Sequence, residues 1–357
     1  MQNFALKFYF WNHFAVVVHL HPYPRHKMKL LFHTLSNGIR LVHHPLPGVV
    51  AYCGLLINTG SRDENEGENG MAHFIEHMLF KGTKKRKAYH ILSRLEDVGG
   101  ELNAYTTKEE TAIHASFLKD DYERAVELIS DITFNSLFPR KEIEKEKDVV
   151  LEEISSYLDN PAELIFDDFE EIIFSGQPVG HNILGTSDTV KSFTQESISR
   201  FIARTYNTDQ MVFCSAGNIP DDKILHLFVK YFGHITPTCR DTQPSQPWTY
   251  HPAKVTRKMN TNQNHCIIGN VAYDIRDDRR IVMFLLNNIL GGQGLNSRLN
   301  LSLREKNGLA YNVESAYNPY MDTGAFSIYF GTDSSSLEKS IKIIHSELAR
   351  LRTVKLG

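Results

Sequence analysis

Only four cysteines occur in 357 residues, Cys53, Cys214, Cys239 and Cys266, and no two form a Cys-x-x-Cys pair. Such scattered usage excludes a disulfide frame and a zinc knuckle, and it fits free thiols in a reduced compartment. On that ground the sequence predicts a cytoplasmic protein. Long apolar runs are also missing. The longest clean one near the N-terminus, Phe14 to Val18, is too short to span a bilayer, and no later segment reaches the ~20 residues a span needs. The first 27 residues carry a lone Lys7 ahead of their apolar run and no small-residue cleavage site, a poor secretory signal. They read as an N-terminal extension, with Met28 opening the folded part. Charge of one sign is not in excess either. A formal net charge of −3 with 23% charged residues gives no electrostatic case for nucleic acid or an anionic membrane. The one dense basic run, KGTKKRK from Lys81 to Lys87, lacks interleaved aromatics and reads as a solvated loop.

A hydrophobic content of 41% over this length supports two domains of ordinary size. Strand-like blocks rich in β-branched residues, Gly38 to Pro45 and Val49 to Gly60, lead through a polar loop to a helix-like block, Met71 to Phe80. Glu101 to Leu118 reads as two strands with a turn near Lys108. Two long helical patterns follow, the second from Arg140 to Leu158, then a helix over Asp188 to Tyr206 and a strand over Gln210 to Ile219. The Pro-, Thr- and Ser-rich stretch Thr236 to Pro252 is the linker. Beyond it, strand, helix, two strands and helix recur. The sequence therefore predicts an α+β fold of two related halves: an extension over 1–27, one domain over 28–235, a linker over 236–252 and a second domain over 253–357. The second half reads as cut short, which would leave apolar surface uncovered.

On a helical wheel Met71, Phe74, Ile75, Met78 and Leu79 form one apolar face, and His73, Glu76 and His77 fall opposite. Imidazoles at i and i+4 can reach one zinc, and Glu76 lies beside them, within reach of a water there. The competing reading is a solvated polar face, which would leave Phe80 in water. A catalytic zinc keeps three protein ligands and one open position. On the helix Arg140 to Leu158, Glu146 and Glu153 lie seven apart at the edge of an apolar stripe of Ile143, Val150, Leu151, Ile154 and Leu158. A carboxylate beside a buried face needs a partner, and a cation is one. Glu142 also lies near that edge, and the wheel alone does not choose among the three.

The stretch GENGMAHFIEHMLFKGT resembles the signature of the insulinase/pitrilysin family of zinc peptidases, the inverzincins, whose motif reverses HExxH. In style it is most similar to mitochondrial processing peptidase and its bacterial relatives. GGELNAYTTKEET, VVLEEI, PVGHNILGT and LGGQGLNSRLNLSLREKNGLAY continue the likeness, which runs from about Leu31 to the C-terminus. The resemblance implies halves in which an antiparallel-rich sheet packs with helices. It implies one zinc per chain held by His73, His77 and Glu153, with Glu146 as a supporting carboxylate nearby. Glu76 would be the general base toward a zinc-bound water, hydrolysing peptide bonds in peptides or unfolded segments. Asn103 and Ala104 match the family's substrate-binding edge strand. Arg304 and Tyr311 match a pair in the second half that reaches the substrate and the oxyanion. Some members divide zinc and the arginine–tyrosine pair between two chains. This chain has both, which favours a self-sufficient subunit in a homodimer, or a heterodimer with a related chain. Two other readings compete. A non-catalytic partner or scaffold is opposed by the intact His73, Glu76, His77 and Glu153. A ribosylhomocysteine lyase-type hydrolase is opposed by chain length and by Arg304 with Tyr311.

Overall fold

The computed structural model describes residues 30–241 and 248–356. The N-terminal extension and Met28 lie outside the described residues, as do residues 242–247 of the linker. In the first half, β1 (Leu31–Thr34), β2 (Arg40–Pro45) and β3 (Val50–Ile57) precede α1 (Met71–Met78) and α2 (Ala88–Glu96). Then come β4 (Glu101–Thr106), β5 (Thr111–Leu118), α3 (Tyr122–Phe134), α4 (Arg140–Leu158) and α5 (Pro161–Ile173). The half closes with α6 (Ser187–Ser192), α7 (Gln195–Thr205), β6 (Met211–Gly217) and α8 (Asp221–Phe232).

These six strands form one sheet in the order β1-β2-β6-β3-β5-β4, antiparallel except for the parallel pair β2–β6. Strand β6 shows the cause of the layering. Its residues alternate between buried and half-buried, which a period of two produces when one face is covered. Phe213 on that strand packs against Phe228 and Phe232 of α8 at 5.8 and 5.1 Å between ring centroids.

No helix or strand occupies the described residues between α8 and β7 (Asn264–Val271), so the linker expected at 236–252 sits inside a longer irregular stretch. Next come α9 (Arg280–Gly291), a π-helical turn over Asn300–Glu305, β8 (Ala310–Pro319), β9 (Gly324–Thr332) and α10 (Leu337–Thr353). The second sheet has the order β7-β9-β8, all antiparallel. That repeats β3-β5-β4 of the first sheet, with a helical stretch after the first strand and a helix after the third in both halves. The expected α+β fold with two related halves is thus present. Ile281, Val282, Phe284 and Leu285 of α9 are exposed, an apolar face that Tyr317 covers only in part, at Phe284.

The halves meet along a seam. Gly269 of β7 lies so close to α5 that a Cβ there would come within 2.4 Å of Phe169 Cζ. At the rim, Arg62 pairs with Asp322 at 2.8 Å, and the Glu109 carboxylate accepts the Met321 N–H at 2.9 Å.

Several elements differ from the sequence reading. The helix expected over Asp188 to Tyr206 is two helices. Thr194 accepts a hydrogen bond from the Ser197 N–H at 3.2 Å and starts α7 afresh. The break seats Phe193 against Phe74 of α1, 5.3 Å between centroids. Four elements, β1, α2, α5 and α8, were not anticipated. In α4, Leu158 is 51% exposed rather than part of the buried stripe. The basic run from Lys81 to Lys87 is only partly a solvated loop. Arg86 pairs with Glu127 at 2.6 Å and with the buried Asp131 at 2.7 Å, and Lys81 also finds a carboxylate partner.

Helix α1 begins at Gly70, whose φ of +92° suits a residue without Cβ. Its backbone abuts the Leu184–Gly185 turn, and a Cβ on Gly70 would lie 2.6 Å from the Leu184 carbonyl oxygen. Gly70→Ala should therefore lower folding stability by about 1–3 kcal/mol, read as a lower urea midpoint at unchanged m-value. An unchanged midpoint would show that this junction tolerates a side chain.

Candidate metal centre

Helix α1 is not a surface helix. Met71, Ala72, Phe74, Ile75 and Met78 are buried to within 1% of full coverage, and His73 is 8% exposed. Phe80 does not sit in water, being partly buried against the core. The polar side of α1 faces α4 and β4, which pack against it.

This packing brings together residues 76 positions apart or more. His73 Nε2 lies 3.8 Å from Glu153 Oε1, and His77 Nε2 lies 3.7 Å from Glu153 Oε2. The imidazole centroids are 4.6 Å apart. Those contacts are too long for hydrogen bonds. Two donors bonded at ~2.0–2.1 Å to a tetrahedral ion stand roughly 3.4 Å apart, so the three groups nearly have the spacing of ligands around one small cation. Among the described residues, they form the one cluster of this kind, with donor atoms all within 4.8 Å of one another.

The donor chemistry fits as well. Glu146 Oε1 accepts from His77 Nδ1 at 2.9 Å, which turns the Nε2 lone pair toward Glu153. Burial lowers the pKa of His73 to about 3, with His77 adding repulsion, so that ring stays neutral and able to ligate. Its Nδ1 is buried with no hydrogen-bond partner. Burial also works against a charged His77, but the Glu146 hydrogen bond and the nearby Glu153 charge outweigh it and raise its pKa. Of the three carboxylates left open by the wheel, Glu153 faces the imidazoles and Glu146 stands behind His77. Glu142 pairs with Lys145 at 2.8 Å. Two imidazole nitrogens and one carboxylate suit a first-row ion such as zinc.

Glu76 sits beside this cluster. Burial raises its pKa, while the Thr106 hydroxyl and His77 pull it back down. A carboxyl placed this way can take and return a proton beside the cluster.

Strand β4 is the edge of the first sheet and packs against α1. Asn103 is exposed, and its Oδ1 accepts the Ala104 N–H at 2.9 Å. That N–H is engaged by its neighbouring side chain rather than by β5. In the second half, Arg304 and Tyr311 meet each other, the guanidinium 5.0 Å from the ring centroid. Tyr311 is 81% exposed, and Arg304 also pairs with Glu305 at 3.6 Å. Neither has a hydrogen bond or ion pair to the histidine cluster among the described residues.

Two contributors were missed in the sequence. Buried Glu64 accepts the Gly70 and Ala72 N–H groups at 3.0 and 2.9 Å, capping α1 from the preceding loop. No periodicity flags a residue in a polar loop. Lys81 contacts Glu146, and its signal was present, because it continues the four-residue spacing of His73 and His77.

In metal-free protein the lowered His73 pKa has a signed consequence. The unfolded chain takes up that proton near pH 6.5 and the folded chain only near 3. Stability from this group is complete above 6.5 and is lost as pH falls, at up to about 1.4 kcal/mol per pH unit. The raised His77 works oppositely, so the test is a comparison. With chelator present, urea titrations from pH 7 to 5 should show a shallower loss for His73→Asn than for wild type. Equal slopes would remove His73 as the cause.

Comparison with known proteins bears on the whole chain. The sequence profile described as Insulinase (Peptidase family M16) matches residues 41–187, and the one described as Peptidase M16 inactive domain matches residues 192–355. The second match includes β6, which belongs to the first sheet. A Bacillus subtilis protein named as an uncharacterized zinc protease, YmxG, is 36% identical over 321 residues, covering 90% of this chain and 78% of its own. A Rickettsia bellii protein named as a zinc protease is 35% identical over 323 residues, covering 89% of this chain and 77% of its own. In fold, a Helicobacter pylori protease superposes with a TM-score of 0.85 at 24% identity, covering 92% of this chain and 81% of its own. The Escherichia coli periplasmic protease PqqL superposes with a TM-score of 0.73 at 20% identity, covering 94% of this chain and 39% of its own. One neighbour being periplasmic, this fold does not by itself place a chain in the cytoplasm. Among the described residues no helix is long and apolar enough to cross a membrane. With both profiles matched and relatives above one-third identity along nine-tenths of its length, the chain belongs to the insulinase family, peptidase family M16.

Proposed function

We propose that this protein is a zinc-dependent metalloendopeptidase acting on peptides or unfolded segments, with one zinc per chain held by His73, His77 and Glu153. The carrying observation is the convergence of two imidazoles and a carboxylate at 3.7–3.8 Å, spaced for an ion rather than for hydrogen bonds. Names of the relatives as zinc proteases support the choice of metal. When bound, zinc supplies a Lewis acid that polarises a carbonyl and makes water more acidic. Glu76 takes the proton from the attacking water and hands it to the departing amine. Glu146 keeps His77 in the tautomer that offers Nε2 to the metal.

Strand β4 holds the substrate. An extended peptide adds along the free edge that Asn103 and Ala104 line, its backbone pairing with the outward-facing groups of Ala104. The Asn103 side chain, which now accepts the Ala104 N–H, gives way to a substrate carbonyl. Residues 28–235 form the catalytic domain, and 253–357 the second domain, bringing Arg304 and Tyr311 to substrate and oxyanion. Because one chain carries both sets, it works with itself or a second copy rather than needing a catalytic partner.

The purified chain should hold one zinc by mass spectrometry and cleave a quenched fluorogenic peptide in a chelator-sensitive manner. Glu76→Gln should retain zinc and lose about 10²–10⁴-fold in kcat. A wild type with full zinc and no chelator-sensitive cleavage sinks the peptidase reading. Ala104→Pro removes an edge N–H that β5 does not use, so the sheet should survive. Its KM should rise about tenfold or more with zinc content unchanged, and an unaltered KM would place the substrate elsewhere.

A further inference from the structure

Two glutamates of α4 approach the same pair of histidines, and something must decide which one faces the metal position. We propose that Lys81 makes that decision: by ion-pairing with Glu146, it commits that carboxylate to orienting His77 and leaves Glu153 as the ligand. This rests on the reading of the cluster as a metal site.

Glu146 is 5% exposed, among the most buried acidic groups described. A buried carboxylate is costly unless its oxygens are engaged. Both are: Oε1 takes the His77 Nδ1–H at 2.9 Å and Oε2 takes Lys81 Nζ at 2.6 Å. Glu153 differs. Its side chain is 43% exposed, its two oxygens face His73 and His77, and no lysine or arginine ion-pairs with it among the described residues. One carboxylate is saturated by protein donors and the other is free to bind an ion.

The sequence builds this in simply. His73, His77 and Lys81 follow at four-residue intervals, so all three point along one side of α1 and the turn after it. Lys81 stands just beyond Met78, where α1 has ended and the chain is free to turn its long side chain back onto Glu146. Without the ammonium, Glu146 would lie buried with one partner. It would then be free to swing toward the imidazoles, which weakens its hold on the His77 tautomer. Lys81 is thus a positioning residue acting through Glu146, with no contact to the reacting atoms.

Zinc affinity, measured by competition with a chromogenic chelator, tests this without reference to turnover. Lys81→Met should weaken zinc binding about 10–100-fold, the usual effect of removing an outer partner of a ligating histidine. Lys81→Arg, which restores the charge, should recover most of the loss. Glu146→Gln should weaken binding similarly, and the double variant Lys81→Met/Glu146→Gln should be no weaker than Glu146→Gln alone, because the two residues act as one unit. Circular dichroism on the metal-free proteins checks folding. If Lys81→Met unfolds through its unpaired buried carboxylate, the double variant refolds, and its equality with Glu146→Gln carries the same conclusion. Wild-type affinity in Lys81→Met, or additive losses in the double variant, overturns the role of Lys81 while leaving the metal site intact. Absence of zinc binding in the wild type overturns the metal site and this inference together.

Discussion

The hydrogen bond between His77 and Glu146 spans 69 residues of sequence and fixes how α1 meets α4. Glu146 is buried, so it tolerates little displacement before losing a partner it cannot replace with water. Once that contact is set, the rest of the cluster follows from helix geometry. Passing from His77 back to His73 on α1 accompanies passing from Glu146 forward to Glu153 on α4, so the helices cross in opposite senses. The two imidazoles and the second carboxylate then face one point. Packing supplies the rigidity. Apolar residues of α1 fill the core, and Phe193 closes over Phe74 from a break between helices.

Polar groups gathered inside a core need backbone support, and the turns around α1 provide it. Glu64 binds the first free N–H groups of the helix, and Thr189 Oγ1 donates to the Asn69 carbonyl at 2.6 Å. Gly70 and Gly185 allow two chain segments to touch without side chains between them. Placement of the imidazoles therefore depends on a short loop as much as on the helix itself.

How much of this was legible varied with the reach of the interaction. The pair His73 and His77 with Glu76 could be read from a single helical turn, because periodicity reports what lies on one face. The recurrence of strand, helix, two strands and helix was also visible, and the matching strand orders of the two sheets confirm it as a repeated topology. The wheel failed to separate Glu146 from Glu153, since both edge the same stripe. Only the crossing of α4 over α1, a long-range fact, distinguishes them. Lys81 continues the four-residue spacing of the histidines, but the run around it masks that signal. Its neighbours Lys84, Lys85 and Lys87 are exposed, and composition averages over a run in which Lys81 and Arg86 have buried partners. The helix expected as one piece from Asp188 broke because a capping threonine overrode a continuous apolar pattern.

An edge strand beside the histidine cluster has a consequence for what could bind along it. Strand β4 pairs with β5 on one side only, and its other side offers backbone groups in a straight row. A guest must present its own N–H and C=O groups in a matching row. Chains folded into helices or closed sheets have those groups already taken. On the proposed reading, the strand would sort polypeptides by shape rather than by side chain, welcoming whatever has not folded, or has come undone, and turning away the rest.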